Sequence, residues 1–236
     1  MAAPAYAEMN DRLSQQHFGT ISSGDFVAGD SVHFQLARYH GEYLMRVAGD
    51  PETYVLYADY GPLGGRVLRY DSGATAIQVA GWGAMTLYTD NKPDGLPAMR
   101  TGDAQGIAPP NVSFAQLMGA ADDEASHIAY VSGVRISFNA DWNAYAGDAN
   151  WRSLVYDTLE NTARGIIRLA ANPAARAAFA QRVSAVRLQP SHKPTIQLSG
   201  RTLIVTFNPQ QAFMGRASSR AIAFAMGKLL QAPVSN

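Results

Sequence analysis

The densest group of polar side chains that could bind a ligand lies near the C-terminus, at the predicted start of the last helix. It comprises Arg216, Ser218, Ser219 and Arg220. The first N–H groups of a helix have no partner inside the helix, and with the helix dipole they favour an anion. These residues therefore predict a ligand-binding site for a carboxylate or a phosphate. The alternative is structural: a serine caps the helix, and the arginines pair with carboxylates of the protein.

A second group of ionisable residues lies in the middle of the chain. Glu124 and His127 are three residues apart, and Asp122 and Asp123 precede them. On a helix, Glu and His at this spacing face the same side, as in carboxylate-bridged metal sites. Asp123, Glu124 and His127 are thus the candidate metal ligands, but such sites need further ligands from elsewhere. The alternative is a solvated acidic loop, and neither a metal nor another cofactor is predicted.

Aromatic and amide side chains alternate in the segment 138–151, which includes Trp142 and Tyr145. Aromatic rings stack on the apolar faces of ligands, and amide and carboxylate groups bond hydroxyl groups. Trp142 and Tyr145 are therefore candidate ligand-binding residues for a sugar. The alternative is a structured loop that caps the following helix.

The central part of the chain supplies the candidate acids and bases for catalysis: Glu124, His127, Asp141 and Asp148. Two carboxylates suffice for acid–base hydrolysis if the fold sets them at the right distance. No G-x-S-x-G elbow, H-E-x-x-H pair or phosphate-binding glycine loop is present in the sequence. Whether the protein is an enzyme is therefore left open.

The composition excludes several classes of function. The 236 residues carry 19 basic and 19 acidic side chains, so no general attraction to nucleic acid is predicted. There is no cysteine, which excludes disulfides and thiolate chemistry. No apolar run approaches the ~20 residues of a membrane-spanning helix. Because 47% of the residues are hydrophobic, the chain can bury a substantial core.

The first half of the chain has the pattern of a β meander. Six β segments, with turn residues between them, recur about every ten residues: 33–38, 42–47, 53–59, 66–71, 75–80 and 84–89. They predict an antiparallel sheet that forms a partial barrel or a sandwich. Residues 90–110 are rich in glycine and proline and predict a long loop.

The second half has a mixed pattern. A helix is predicted at 113–121, strand character at 128–138, and a long amphipathic helix at 150–170. A helix from Pro173, a strand at 186–190, a hairpin and the closing helix follow. The expected fold is α+β, with a C-terminal antiparallel sheet covered by helices. The expected domains are an N-terminal extension (1–30), the meander with its loop (31–110) and the mixed half (111–236), or one continuous domain, 31–236.

The N-terminal residues Ala5, Tyr6 and Ala7 have the small-x-small form of a signal-peptidase site, without a basic or apolar segment before them. This pattern predicts an exported protein, periplasmic or secreted, to which Met1 is added. The alternative is a cytoplasmic protein with an ordinary N-terminus.

Two stretches carry a resemblance to a known family: GWGAMTLYT (81–89), and LSGRTLIVTFNP with GRASSRAIAFAMGKLL (198–230). They resemble a family of exported alphaproteobacterial proteins described only as a domain of unknown function. The likeness covers most of the chain from about residue 31. The resemblance implies export, and it implies no activity and no catalytic residues.

Together these observations favour a binding protein of the cell envelope without clear catalytic machinery. Its partner would be a small-molecule or polymeric ligand, or another protein. The alternative is a hydrolase for a polar or anionic substrate, with Asp, Glu and His groups from residues 120–151 and an arginine, Arg216 or Arg220, as anion anchor. A structural subunit that assembles through edge strands is a third hypothesis, and the oligomeric state is left open.

Overall fold

A computed structural model of the chain describes residues 21–231. The chain divides into two units, Met1–Ile107 and Ala108–Asn236. Most of the predicted N-terminal extension, including the signal-like Ala5–Ala7 segment, lies outside the described residues.

The described part of the first unit is a closed antiparallel β-barrel in which each strand pairs with the next, and β1 pairs with β8. Its strands are β1 (Gly24–Ala28), β2 (Val32–Tyr39), β3 (Glu42–Val47), β4 (Thr53–Tyr60), β5 (Arg66–Tyr70), β6 (Thr75–Val79), β7 (Met85–Thr89) and β8 (Lys92–Gly102).

Alternation along the strands fills the barrel. Successive side chains point to opposite faces of a strand, and buried apolar residues stand at alternate positions in the central parts of β2 to β5, among them Phe34, Leu36, Met45, Leu56 and Leu68. These side chains belong to one core cluster. The barrel interior is therefore packed with side chains.

The barrel corrects two expectations. The six predicted strands are present, but the fold is a closed barrel, not a partial one. β1 lies in a segment expected to be extension, and β8 occupies much of the expected loop. The sequence does not predict β8, because Pro93 and Pro97 cannot donate ladder hydrogen bonds and therefore argue against a strand. The pairing of β7 with β8 has an irregularity between Leu87 and Thr89 that accommodates this strand.

The second unit combines helices with a four-stranded sheet. Its helices within the described range are α1 (Phe114–Ser132), α2 (Ala149–Ala170), α3 (Pro173–Arg182) and α4 (Ser219–Leu230); its strands are β9 (Ser137–Asn139), β10 (Ala185–Pro190), β11 (Ile196–Ser199) and β12 (Thr202–Phe207). The strand order is β11-β12-β10-β9. The long amphipathic helix α2 contributes many side chains to the core, among them Leu154, Val155, Leu159 and Ile166.

The predicted C-terminal antiparallel sheet is wrong in its strand directions. Only β11 and β12 are antiparallel, whereas β10 is parallel to both β12 and β9. Parallel neighbours need a crossover connection, and α2 and α3 supply it between β9 and β10. The sheet is therefore mixed.

Helix α1 is longer than predicted. A capping box joins Ser113 and Gln116 at its start, as expected, but the helix continues through the acidic segment to Ser132. Gly133 ends it in a left-handed conformation (φ 72°). Glu124 and His127 are thus helical, and the strand expected at 128–138 is reduced to β9. None of the helices described is both long and apolar enough to cross a membrane.

Candidate functional site

A cavity of about 300 Å³ lies between the start of α2 and the loop that follows β12. We call it the α2 pocket. Its polar lining includes Asn150, Ser153, Asp157 and Gln210, and its apolar lining includes Leu154 and Phe213. Small-molecule sites are commonly concave and largely apolar, with a few placed polar groups, and this lining has that character.

The first two turns of α2 place one wall. Asp148 is the N-cap, and its carboxylate accepts hydrogen bonds from the backbone N–H groups of Asn150 and Trp151. Positions 150, 153, 154 and 157 then fall on one face, because helical residues three or four apart are neighbours. The capped helix end therefore fixes the direction of the Ser153 and Asp157 side chains.

Residues 208–215 form the opposite wall. Asn208 N–H donates to the Gly215 carbonyl at 2.7 Å, and Asn208 Oδ1 accepts from the backbone N–H of Gln210 at 3.0 Å. A Cβ on Gly215 would lie 2.1 Å from the Asn208 carbonyl oxygen, so only glycine allows this closure. Ala212, on the pocket wall, has a φ of 41°, a conformation that is costly for a residue with a side chain. Such strain persists where the surroundings enforce it, and it is concentrated at functional sites.

An ion pair with a buried arginine holds the acidic group of the pocket. Arg216 Nε donates to Asp157 Oδ2 at 2.8 Å. The Arg216 side chain is 1% exposed and that of Asp157 is 19% exposed. The guanidinium also lies 5.5 Å from the centroid of the Phe213 ring. Arg216 therefore positions two pocket residues, Asp157 and Phe213, from behind the wall.

The remaining polar groups of the pocket favour donors on a ligand. Ser153 Oγ lies 2.5 Å from the Pro110 carbonyl oxygen and 3.0 Å from the Ala149 carbonyl oxygen, so its proton is directed at the backbone. Its lone pairs and the Asp157 carboxylate are acceptors. The amides of Asn150 and Gln210 both donate and accept. The arrangement suits hydroxyl groups next to an apolar face.

The residues predicted at the last helix have structural contacts in this fold. Arg216 forms the pair with Asp157 described above. Ser218 is the N-cap of α4 and accepts from the backbone N–H of Ala221 at 3.1 Å. Ser219 is fully buried at the first position of α4, and Arg220 follows it, partly buried. A ligand-binding role for these four residues stays a prediction.

Of the two predicted aromatic ligand-binding residues, Tyr145 lies in the core and Trp142 lies at the edge of the core. Tyr145 is 1% exposed, with the rings of Trp151 and Phe207 5.8 and 5.9 Å from its own. Burial, and to a smaller extent the Asp141 charge, raise the pKa of the Tyr145 hydroxyl. Trp142 is half-buried against the same core. Both residues belong to a short 3-10 helix, Trp142–Tyr145.

Of the candidate catalytic groups, Glu124 and His127 lie together on α1, and Asp141 and Asp148 lie at the starts of two later helices. Burial raises the pKa of Glu124; the Glu160 carboxylate adds to the rise, while His127 and Arg164 oppose it. Arg164 Nη2 donates to Glu160 Oε2 at 2.6 Å. We call this group, Glu124, His127, Glu160 and Arg164, the α1–α2 cluster.

Asp123, the third candidate metal ligand, is exposed on α1, and its charge adds to the raised pKa of Glu124. Over residues 21–231, no three His, Asp or Glu side chains are grouped as metal ligands.

The sequence pattern includes Asn150 in the aromatic and amide segment 138–151, but it does not single out Ser153 and Asp157 of the α2 pocket. Asn150, Ser153 and Asp157 recur at the spacing of one helix face, beside the apolar face that defined α2. This recurrence was the available signal. This signal does not reveal a pocket by itself, because the opposite wall, residues 208–215, is about 50 residues away in the sequence.

The sequence profile of a family described as a domain of unknown function (DUF4908) matches residues 8–226 of the chain. No curated protein and no solved structure matches it.

Proposed function

We propose that this chain, which belongs to the DUF4908 family of domains of unknown function, is a binding protein and that its α2 pocket takes a small hydroxylated ligand such as a sugar. The observation that supports this most directly is the Asp157 carboxylate. It lines the pocket and is held by the buried Arg216. A carboxylate oriented in advance by a second group binds hydroxyl protons without first being ordered.

The charge and size of the pocket limit the ligand. Arg216 balances the charge of Asp157, so the pair has no net charge that would favour a charged ligand over a neutral one. A volume of about 300 Å³ is at the lower end for small-molecule sites. Phe213 and Leu154 supply an apolar surface on which the carbon face of a sugar ring packs.

Thermal-shift measurements on the full chain with a panel of neutral sugars and polyols test this function. Binding to the folded state raises the midpoint of unfolding. Asn150→Ala and Gln210→Ala leave the Asp157–Arg216 pair intact and should abolish the shift. Asn143→Ala, an exposed amide outside the pocket lining, is the matched control and should keep it. The proposal fails if no member of the panel shifts the midpoint, or if the pocket variants keep the shift.

We also propose that the protein acts in the periplasm or outside the cell. The Ala5-Tyr6-Ala7 pattern supports this placement. Cell fractionation of a C-terminally tagged chain tests it, since the tag should be recovered with periplasmic or secreted marker proteins. Recovery with cytoplasmic markers would contradict it.

A hydrolase is the second candidate function, and the α1–α2 cluster favours it. A carboxyl with a raised pKa next to a second carboxylate is the arrangement of a general acid. Glu124 would protonate a leaving group, and Arg164 would bind an anionic part of the substrate. Hydrolysis of chromogenic phosphate, ester and glycoside substrates tests this, with loss of turnover in Glu124→Gln and its retention in Asp122→Asn. No turnover on any of them would remove this candidate.

A further inference from the structure

One end of the barrel presents large apolar side chains to solvent. Tyr60 is 82% exposed at the end of β4, Leu63 is 90% exposed in the following loop, and Trp82 is 78% exposed in the turn between β6 and β7. We call these three residues the aromatic tip. Single exposed apolar residues need no explanation, but adjacent ones indicate a contact surface.

Glycines hold the two loops of the tip against each other. A Cβ on Gly81 would lie 2.6 Å from the Leu63 carbonyl oxygen, and one on Gly65 would lie 2.5 Å from the Val79 carbonyl oxygen. The loop 61–65 is also closed by a hydrogen bond of 2.9 Å from Gly61 N–H to the Gly65 carbonyl. The backbones that carry Leu63 and Trp82 are therefore in direct contact, and the two side chains project from one rigid platform.

The backbone of the aromatic tip is strained at its most exposed residue. Leu63 has a φ of 51°, in the left-handed region that residues with a side chain rarely adopt. A leucine that is both strained and exposed stabilises neither the loop nor the core. Strain of this kind is found at binding sites, where it is kept for a contact made with a partner.

Basic groups surround the tip. The Arg66 guanidinium lies 4.4 Å from the centroid of the Tyr60 ring, and that of Arg38 lies 5.4 Å from the Tyr43 ring. Both arginines are at the same end of the barrel, because Arg38 lies at the end of β2 and Arg66 lies at the start of β5, paired with Tyr60 of β4.

The acidic groups nearby are already engaged. Asp59 pairs with Arg69 at 3.5 Å, and Glu42 accepts from the backbone N–H of Ala58 at 3.0 Å. Within residues 21–231, neither Arg38 nor Arg66 has an ion-pair partner. Glu42 keeps its negative charge, because its bonding partner is a neutral N–H group, so Arg38 and Arg66 give this end of the barrel a small excess of positive charge.

We propose that the aromatic tip, with Arg38 and Arg66, docks this protein on the surface of a lipid bilayer that contains anionic phospholipids. Tryptophan and tyrosine rings favour the level of the headgroups, and a leucine at the end of a loop reaches the acyl chains. Arginines at the rim attract anionic headgroups. The combination of a fully exposed leucine with tryptophan favours lipid over nucleic acid, for which aromatic and basic groups alone suffice.

Co-sedimentation of the full chain with vesicles tests the docking. The chain should sediment with phosphatidylcholine vesicles that contain phosphatidylglycerol, less with pure phosphatidylcholine, and less at high salt, because salt screens the arginines. Trp82→Ala combined with Leu63→Asn should lower the partition coefficient roughly tenfold or more, since each lost side chain removes apolar area from the contact. Asparagine adopts positive φ readily, so the loop remains intact.

Tyr130→Ala is the matched control, because Tyr130 on α1 is 91% exposed and outside the barrel unit. It should leave sedimentation unchanged. The proposal is overturned if the unchanged chain does not sediment with anionic vesicles, or if Tyr130→Ala reduces sedimentation as much as the tip variant. Binding of single-stranded DNA that the tip variant loses, without vesicle binding, would overturn it in favour of a nucleic-acid surface.

Discussion

The Arg216 guanidinium donates to the Asp157 carboxylate across the wall of the α2 pocket, at 2.8 Å, and the arginine is buried almost completely. One residue from just before α4 thereby fixes an acidic group on α2. The stability of the second unit and the shape of its pocket are thus coupled through this ion pair.

Arg216→Met should lower the free energy of unfolding by about 2–4 kcal/mol, because breaking a buried pair leaves a poorly solvated charge behind. Arg187→Met, at an exposed arginine on β10, should change it by less than about 0.5 kcal/mol. Urea denaturation monitored by circular dichroism measures both. An unchanged free energy of unfolding in Arg216→Met would show that the arginine is not structural. It would favour the alternative that Arg216 binds an anionic ligand.

Two glycines in helices should respond in opposite directions to alanine. A Cβ on Gly165 of α2 would lie 2.8 Å from Ile222 Cγ2 and 3.0 Å from the Ser219 carbonyl oxygen of α4. Gly165→Ala should therefore destabilise the protein by about 1–3 kcal/mol through overpacking. On α1, a Cβ at Gly119 meets nothing within 4 Å, and Gly119→Ala should stabilise by up to about 1 kcal/mol. Equal effects in denaturation curves would contradict the close packing of α2 and α4.

The pH dependence of stability should carry a contribution from Glu124. Burial raises the pKa of this carboxyl above its ordinary value of 4.5. The folded state then holds the proton to higher pH than the unfolded state does, so the free energy of unfolding falls as pH rises through the window above that value. Glu124→Gln removes the titration and should flatten the profile there, leaving the variant more stable at neutral pH. Denaturation curves over a pH series measure this, with Asp122→Asn as the control that keeps the slope.

Asp148 distinguishes capping from catalysis. Asp148→Ala should cost about 1 kcal/mol of stability, because two backbone N–H groups of α2 lose their acceptor. Asp148→Asn should cost much less, since asparagine caps equally well. Thermal unfolding compares the two variants. If Asp148→Asn were the more damaging, the charge of the carboxylate rather than its capping hydrogen bonds would be what the fold requires.

Local patterning predicted the elements whose signal is contained in a short window. Strands β2 to β7 follow from alternation and turn residues, and α2 follows from its apolar spacing. The capping box of Ser113 and Gln116 also predicted the start of α1. The pattern does not predict the end of α1. The β-branched residues on both sides of Gly133 are typical of strands, whereas in the structure Gly133 ends the helix in a left-handed conformation.

Long-range relationships were not readable in the same way. The parallel pairing of β10 with β9 and β12 depends on where intervening helices return the chain. The contact of Asp157 with Arg216 joins residues from two separate helical regions, and nothing local marks it. The small residue that allows α2 and α4 to approach is Gly165, in the middle of α2, where a glycine alone has no distinctive pattern.

The closure of the barrel by β1 and β8 has a consequence for synthesis on the ribosome. β1 leaves the ribosome first and can pair with β2, but its other edge has no partner until β8 emerges. During that interval the nascent sheet exposes open edges, which can recruit strands of other chains. Correct folding of the first unit therefore requires that β8 be synthesised and paired before the open edges bind strands of other chains.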